Sequence, residues 1–133
     1  MRMLVLGAGL QGSACAYDLL QNPAVSEVRL ADRDGTPLPA FLSRYAKDPR
    51  LVRVALDAKD PNAVARAMHG ASAVMCALPY YFNLEMTRLA IETGVHFCDL
   101  GGNTEIVFQQ KGLDAAARAK GITVIPDCGL APG

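Results

Sequence analysis

The chain has 133 residues, enough for one domain with a single core and too few for two. Hydrophobic residues make up 51% and charged residues 20%, a folded profile that excludes a disordered chain of low hydrophobicity. Thirteen basic residues balance thirteen acidic ones, so the net charge gives no reason to expect nucleic acid or an anionic membrane surface as partner.

In chain order, six short apolar runs read as strands: Met3–Leu6, Val28–Ala31, Leu51–Leu56, Ala73–Leu78, Val95–Leu100 and Ile122–Pro126. They are mostly apolar rather than alternating, as expected of strands covered on both faces. Helical periods separate them. After Gly12, residues Ala16, Leu19 and Leu20 share a face, with Asp18 and Gln21 opposite. Thr36–Lys47 is interrupted by Pro37 and Pro39, which leave only its second half free to be helical. Asp60-Pro61 is a cap followed by proline at the first helical position; Val64, Ala67 and Met68 form the stripe and Gly70 the stop. From Phe82, an apolar face of Phe82, Met86, Leu89 and Ala90 opposes Glu85, Arg88 and Glu92 until Gly94. Thr104–Lys120 reads as helical, with a break or bend expected at Gly112.

The first strand runs directly into Gly7-Ala8-Gly9-Leu10-Gln11-Gly12, a G-x-G-x-x-G sequence that opens a helix. Gly7 would permit the tight turn, Gly9 the approach of a pyrophosphate to the backbone, and Gly12 close packing of helix on sheet. Amides at the helix N-terminus then point at the phosphates. Asp32 closes the second strand, twenty positions after Gly12, where an acid accepts from the adenosine ribose hydroxyls. Strand, loop, helix and acid in register point to a Rossmann-type doubly wound parallel sheet. The expected order is 3-2-1-4-5-6, with helices on both faces.

Further rim positions follow from ligands binding outside the carboxyl ends of the strands. Asp57-Ala58 would border the adenine, and Ala77-Leu78-Pro79 would let ribose and nicotinamide pass the backbone closely. Asp32 would repel a 2′-phosphate, which favours NAD. Arg33 stacks on adenine in that reading, or neutralises the phosphate of NADP in the other. Tyr80-Tyr81-Phe82 either lines the cleft or packs in the core. Asp99 and Asp127 lie at strand carboxyl ends, and the plain expectation is hydrogen-bond acceptors, with Asn103 or Thr104 capping a helix. His69 and His96 read as structural. The cysteines, Cys15, Cys76, Cys98 and Cys128, form no CxxC or metal-ligand spacing. Reduced thiols point to the cytoplasm, and no catalytic residue is assigned.

Three stretches carry a more particular pattern: Cys76-Ala-Leu-Pro79 with Asn83, Gly94-Val-His-Phe-Cys-Asp-Leu-Gly101, and Pro126-Asp-Cys-Gly-Leu-Ala-Pro-Gly133. With the opening glycine loop they make the chain resemble the saccharopine dehydrogenase-like family, which includes lysine dehydrogenases. The resemblance implies NAD(P)-linked oxidation or reduction at an amino-acid carbon–nitrogen bond in lysine metabolism. It carries cofactor roles over to Gly7, Gly9, Leu10, Gln11, Gly12, Asp32 and the Ala77–Pro79 segment. It also implies a separate α+β domain that binds the small amino-acid substrate and forms a homodimer. A proline- and glycine-containing turn at a strand's carboxyl end is expected to lead onward. Residues 1–133 therefore read as the nucleotide-binding domain of a longer protein whose substrate and dimerisation domain this chain lacks. A non-catalytic NAD(H)-sensing module is the competing reading. An S-adenosylmethionine-dependent methyltransferase is disfavoured by the full glycine count and six parallel strands.

Overall fold

The structure is a computed structural model that describes residues 1–33 and 37–129. Asp34 and Gly35, the first residue of the Thr36–Lys47 segment and the terminal Leu-Ala-Pro-Gly stretch lie outside the described residues. Six strands form one sheet: β1 Arg2–Leu6, β2 Glu27–Asp32, β3 Leu51–Ala55, β4 Ala73–Cys76, β5 His96–Asp99 and β6 Val124–Ile125. Their order is β3-β2-β1-β4-β5-β6 and every pairing is parallel. This is the doubly wound arrangement read from the sequence.

The helices are α1 Leu10–Gln21, α2 Ala40–Ser43, α3 Pro61–Met68, α4 Asn83–Thr93, α5 Thr104–Lys111 and α6 Asp114–Lys120. Residues alternate sides along each strand, so β1 sends Leu4 and Leu6 to one face and Val5 to the other. On one face α3 and α4 pack Val64, Met68, Met86, Leu89 and Ala90 against Leu4, Leu6, Val74, Cys76 and Phe97. On the other, α1 and α2 bring Ala16, Leu20 and Leu42 onto Val5, Val28 and Leu30. Each of these residues is at least nine-tenths buried.

Several boundaries differ from the sequence reading, each for a local reason. Helix α1 starts at Leu10 rather than after Gly12, because Gly9 itself takes the cap position. The β4 strand stops at Cys76: Ala77 makes one last rung, its amide donating to the Leu6 carbonyl at 2.8 Å. Pro79 then has no N–H to offer, and a short 3₁₀ turn, Tyr80–Phe82, follows. Strand β6 is only two residues long, ended by Pro126 at the sheet edge. The Thr104–Lys120 segment divides at Gly112-Leu113, where the Leu113 amide reaches back only three residues, to the Gln110 carbonyl at 2.9 Å. Asp60 caps α3 as expected, its Oδ1 accepting from the amides of Asn62 and Ala63 at 2.9 and 3.1 Å.

Candidate dinucleotide-binding site

The centre of the site is the turn between β1 and α1. Gly7 has φ +97, which a side chain would strain, and its amide donates to the Ala31 carbonyl at 2.7 Å. The next amide, of Ala8, donates to Asp32 Oδ2 at 2.6 Å. Asp32 Oδ1 accepts from the Arg33 amide at 2.7 Å. The acid at the end of β2 therefore holds the glycine turn from the side, a role the sequence reading had not given it. Each carboxylate oxygen keeps a lone pair for another donor.

The three glycines do different work. A Cβ on Gly12 would collide with the Gly7 carbonyl oxygen, so its absence lets α1 seat tightly on its own entry loop. A Cβ on Gly9 would meet nothing within 4 Å among the described residues. No described residue requires glycine there by its packing, as expected of a position left open for a ligand to approach. Behind the loop, the buried Ser13 hydroxyl donates to the Ala8 carbonyl at 2.9 Å. The amides of Leu10, Gln11 and Gly12 open α1 and have no intrahelical acceptor by geometry.

A cleft of about 430 Å³ lies at the carboxyl ends of β1 to β4. It gathers Gly7, Gly9, Asp32, Arg33, Asp57, Ala58, Ala77, Leu78 and Pro79, all expected at the site. Leu10 and Gln11 have exposed side chains outside this lining, and Gly12 sits behind it; these three bring backbone to the site and no side chain. The lining also includes Lys59, which the sequence reading passed over, and Tyr81 and Phe82, whose rings lie 4.8 Å apart. The signal for Lys59 was faint: a lysine two positions after a strand-end aspartate, whose Oδ1 accepts from the Lys59 amide at 2.9 Å. A larger groove of about 640 Å³ runs along α5, α6 and β6, but it holds no glycine-loop residue and no switch-point strand end.

The other rim residues are engaged in hydrogen bonds within the fold. Asp99 is wholly buried: Oδ1 accepts from Asn83 Nδ2 at 3.0 Å, the Gly101 amide at 2.7 Å and the Asp127 amide at 3.2 Å. Its Oδ2 accepts from Gln110 Nε2 at 2.6 Å. The carboxylate thus ties β5, β6, α4 and α5 together. Asp127, alone of the described non-glycine residues, has positive φ, and its carboxyl group covers Gly101. Asn103 caps α5, Oδ1 accepting from the Ile106 amide at 3.1 Å. His96 Nδ1 accepts from the Thr123 amide at 3.0 Å. Burial pushes the Cys15 thiol up to about 11 and the Cys76 thiol up to about 12. Neither is a nucleophile at neutral pH.

The parallel sheet, the glycine turn at its switch point and the acid beside it define a nucleotide-binding domain of the oxidoreductase kind. The chain belongs to the saccharopine dehydrogenase NADP binding domain family, which it matches over residues 3–125. Its cofactor is accordingly a nicotinamide dinucleotide. It is similar to apo histidine-tagged saccharopine dehydrogenase (L-Glu forming) from Saccharomyces cerevisiae, with 25% identity and a TM-score of 0.77. That match covers 99% of this chain and 28% of the yeast chain. The fold is shared with a double mutant of the dTDP-glucose 4,6-dehydratase DesIV from Streptomyces venezuelae, solved with NAD bound. Identity there is 23% and the TM-score 0.66, over 95% of this chain and 54% of that one. GenD2 from gentamicin A biosynthesis, in complex with NAD, matches at 22% identity and a TM-score of 0.67, over 95% of this chain and 34% of that one.

Proposed function

We propose that residues 1–133 are the cofactor-holding part of an NAD(P)-dependent oxidoreductase that acts on a carbon–nitrogen bond of an amino acid, of the saccharopine or lysine dehydrogenase type. The observation that carries the reading is the open approach over Gly9, with the first amides of α1 on one side and the anchored Asp32 on the other. A dinucleotide fits this set. Backbone of Gly7 to Gly12 would hold the pyrophosphate, with the helix dipole in support. Asp32 would take ribose hydroxyls on its remaining lone pairs. Asp57 and Ala58 would border the adenine, and Ala77 to Pro79 the nicotinamide ribose. When bound, the nicotinamide supplies a hydride donor or acceptor.

The chain spans 28% of the yeast saccharopine dehydrogenase it resembles. In this reading a second domain closes over the cofactor, binds the small amino-acid substrate and forms the homodimer. Hydride transfer needs such a wall, because the reacting atoms must be held roughly 3–3.5 Å apart with water excluded. The four cysteines are free, which suits the reducing cytoplasm as the site of action.

The test is calorimetric titration of the 133-residue chain with NADH, NADPH and S-adenosylmethionine, followed by an absorbance assay with NAD(P) and lysine or saccharopine. Binding of a nicotinamide dinucleotide but not of S-adenosylmethionine is expected. Turnover is expected only from a polypeptide that includes the substrate domain. Binding without turnover in that longer polypeptide would instead favour a module that senses the cofactor.

A further inference from the structure

Among the described residues, the cleft at the carboxyl ends of β1 to β4 has two aromatic side chains in its lining, Tyr81 and Phe82. Both belong to the 3₁₀ turn Tyr80–Phe82, which the Phe82 amide closes on the Pro79 carbonyl at 3.0 Å. Three residues make one such turn, so its side chains leave in three directions about 120° apart. Tyr80 lies against the loop after β5, where a Cβ on Gly102 would stand 3.4 Å from its own Cβ, and it is not part of the cleft lining. Phe82 packs inward on the core cluster that includes Leu56 and Val64. Tyr81 is left in the cleft, 63% exposed, sharing its lining with Leu56, Asp57 and Ala58 just after β3. Its own turn braces the ring: the Tyr80 ring meets it edge-to-face at 5.7 Å, and the Phe82 ring lies tilted at 4.8 Å. No ring of another element meets it among the described residues.

We infer that Tyr81 is a cofactor-binding residue whose ring stacks on the adenine, closing the adenosine end of the cleft from the β4 side. The inference rests on the dinucleotide reading of the cleft. In that reading the pyrophosphate lies over the glycine turn after β1, and the acid after β2 marks the ribose on the β3 side of it. The adenine beyond that ribose is flat and uncharged, with two open π-faces. Its complement is a second ring, and the lining that Tyr81 shares with the loop after β3 supplies one. Stacking of a base needs the face of the ring and not the phenol hydroxyl, so phenylalanine can replace tyrosine in it. A ring already braced by two neighbours also loses little freedom when the base arrives. Contact with the nicotinamide is the competing assignment, and the surroundings of the turn decide against it. Tyr80 is the ring beside Gly102 and the end of β5, whereas Tyr81 is the ring that faces the end of β3.

The experiment titrates the 133-residue chain and its Tyr81→Ala and Tyr81→Phe variants with ADP-ribose, which lacks the nicotinamide, and with NADH, by calorimetry. Alongside it, NMR of the unmodified chain with ADP-ribose looks for intermolecular NOEs between the Tyr81 ring protons and adenine H2 and H8. Those NOEs should be present. Tyr81→Ala should weaken ADP-ribose and NADH by about tenfold each, and Tyr81→Phe should stay within about twofold of the unmodified chain for both. Tyr81 is exposed and outside the core, so thermal melts of the two variants should overlay that of the unmodified chain. Absence of the NOEs, ADP-ribose affinity unmoved by Tyr81→Ala, or an equal loss in Tyr81→Phe would overturn the inference while leaving the dinucleotide site standing. Binding of neither ADP-ribose nor NADH by the unmodified chain overturns both.

Discussion

The carboxylate of Asp32 and the amide of Ala8 lie 2.6 Å apart, joining the end of β2 to the turn that follows β1. One residue thereby shapes the loop that would hold a pyrophosphate and, in the proposed reading, would present acceptors to the neighbouring ribose. Its two duties are not separable by simple truncation.

Asp32→Ala should therefore weaken NADH and NADPH alike, by about tenfold or more, rather than merely narrowing the choice between them as its sequence position alone suggests. The underlying loss is a charge-assisted hydrogen bond of about 1.5–3 kcal/mol at full strength, less here because the group is only partly buried. Calorimetry with both cofactors checks it. A loss confined to NADH would show that the contact to Ala8 does not matter for the loop.

Gly9→Ala and Gly12→Ala should separate ligand space from packing space. A methyl group at Gly9 meets no atom of the described residues within 4 Å and φ there is −64, so thermal stability should hardly change while dinucleotide affinity collapses. A methyl group at Gly12 runs into the Gly7 carbonyl oxygen. That variant should lose about 1–3 kcal/mol in a urea melt, the usual range for overpacking.

Asp99→Ala should be destabilising without touching the cofactor. It leaves two backbone amides and the side-chain amides of Asn83 and Gln110 without their acceptor, in a place with no exposure. Each buried, unsatisfied donor costs about 1–3 kcal/mol, so a loss of about 3 kcal/mol or more is expected. A domain with a total stability of about 5–15 kcal/mol would feel that strongly. Chemical denaturation measures it.

Alkaline stability should fall in a defined window. The unfolded thiols titrate near 9.0, whereas burial raises Cys15 to about 11 and Cys76 to about 12. Above pH 9 the unfolded chain therefore binds fewer protons than the folded one, and stability must drop as pH rises. The contribution is fully present below pH 9 and disappears between 9 and 12. Melts at pH 8 and pH 10 show the trend, and Cys76→Ser and Cys15→Ser variants should flatten it. Thiol labelling at pH 8 should reach exposed Cys128 first and buried Cys76 last.

How much of this was legible in the sequence depends on how local the signal is. Strand order followed from six apolar runs separated by helical periods, and the Gly12–Asp32 spacing pointed to the cleft that the glycine turn and Asp32 line together. The α5–α6 division was readable at Gly112. Asp32's contact to Ala8 was not, because a strand-end acid looks the same whether it faces ligand or loop. Lys59 was missed because it lies in a turn whose neighbours in space, Asp32 and Arg33, stand far from it in the chain. The side-chain donors to Asp99 come from α4 and α5, and no periodicity announces a tertiary hydrogen bond.

The all-parallel sheet also sets an order of assembly. Strand β1 is made first, yet its partners are β2 and β4, and the latter lies some seventy residues downstream at Ala73–Cys76. No hairpin exists among these strands, so every pairing waits for a crossover, and such long-range closure slows folding. The Gly7 turn rests against the Ala77 carbonyl, 2.9 Å from where a Gly7 Cβ would stand. On a ribosome, the most ligand-ready part of the sequence would emerge early and remain unshaped until the middle of the chain arrived to back it.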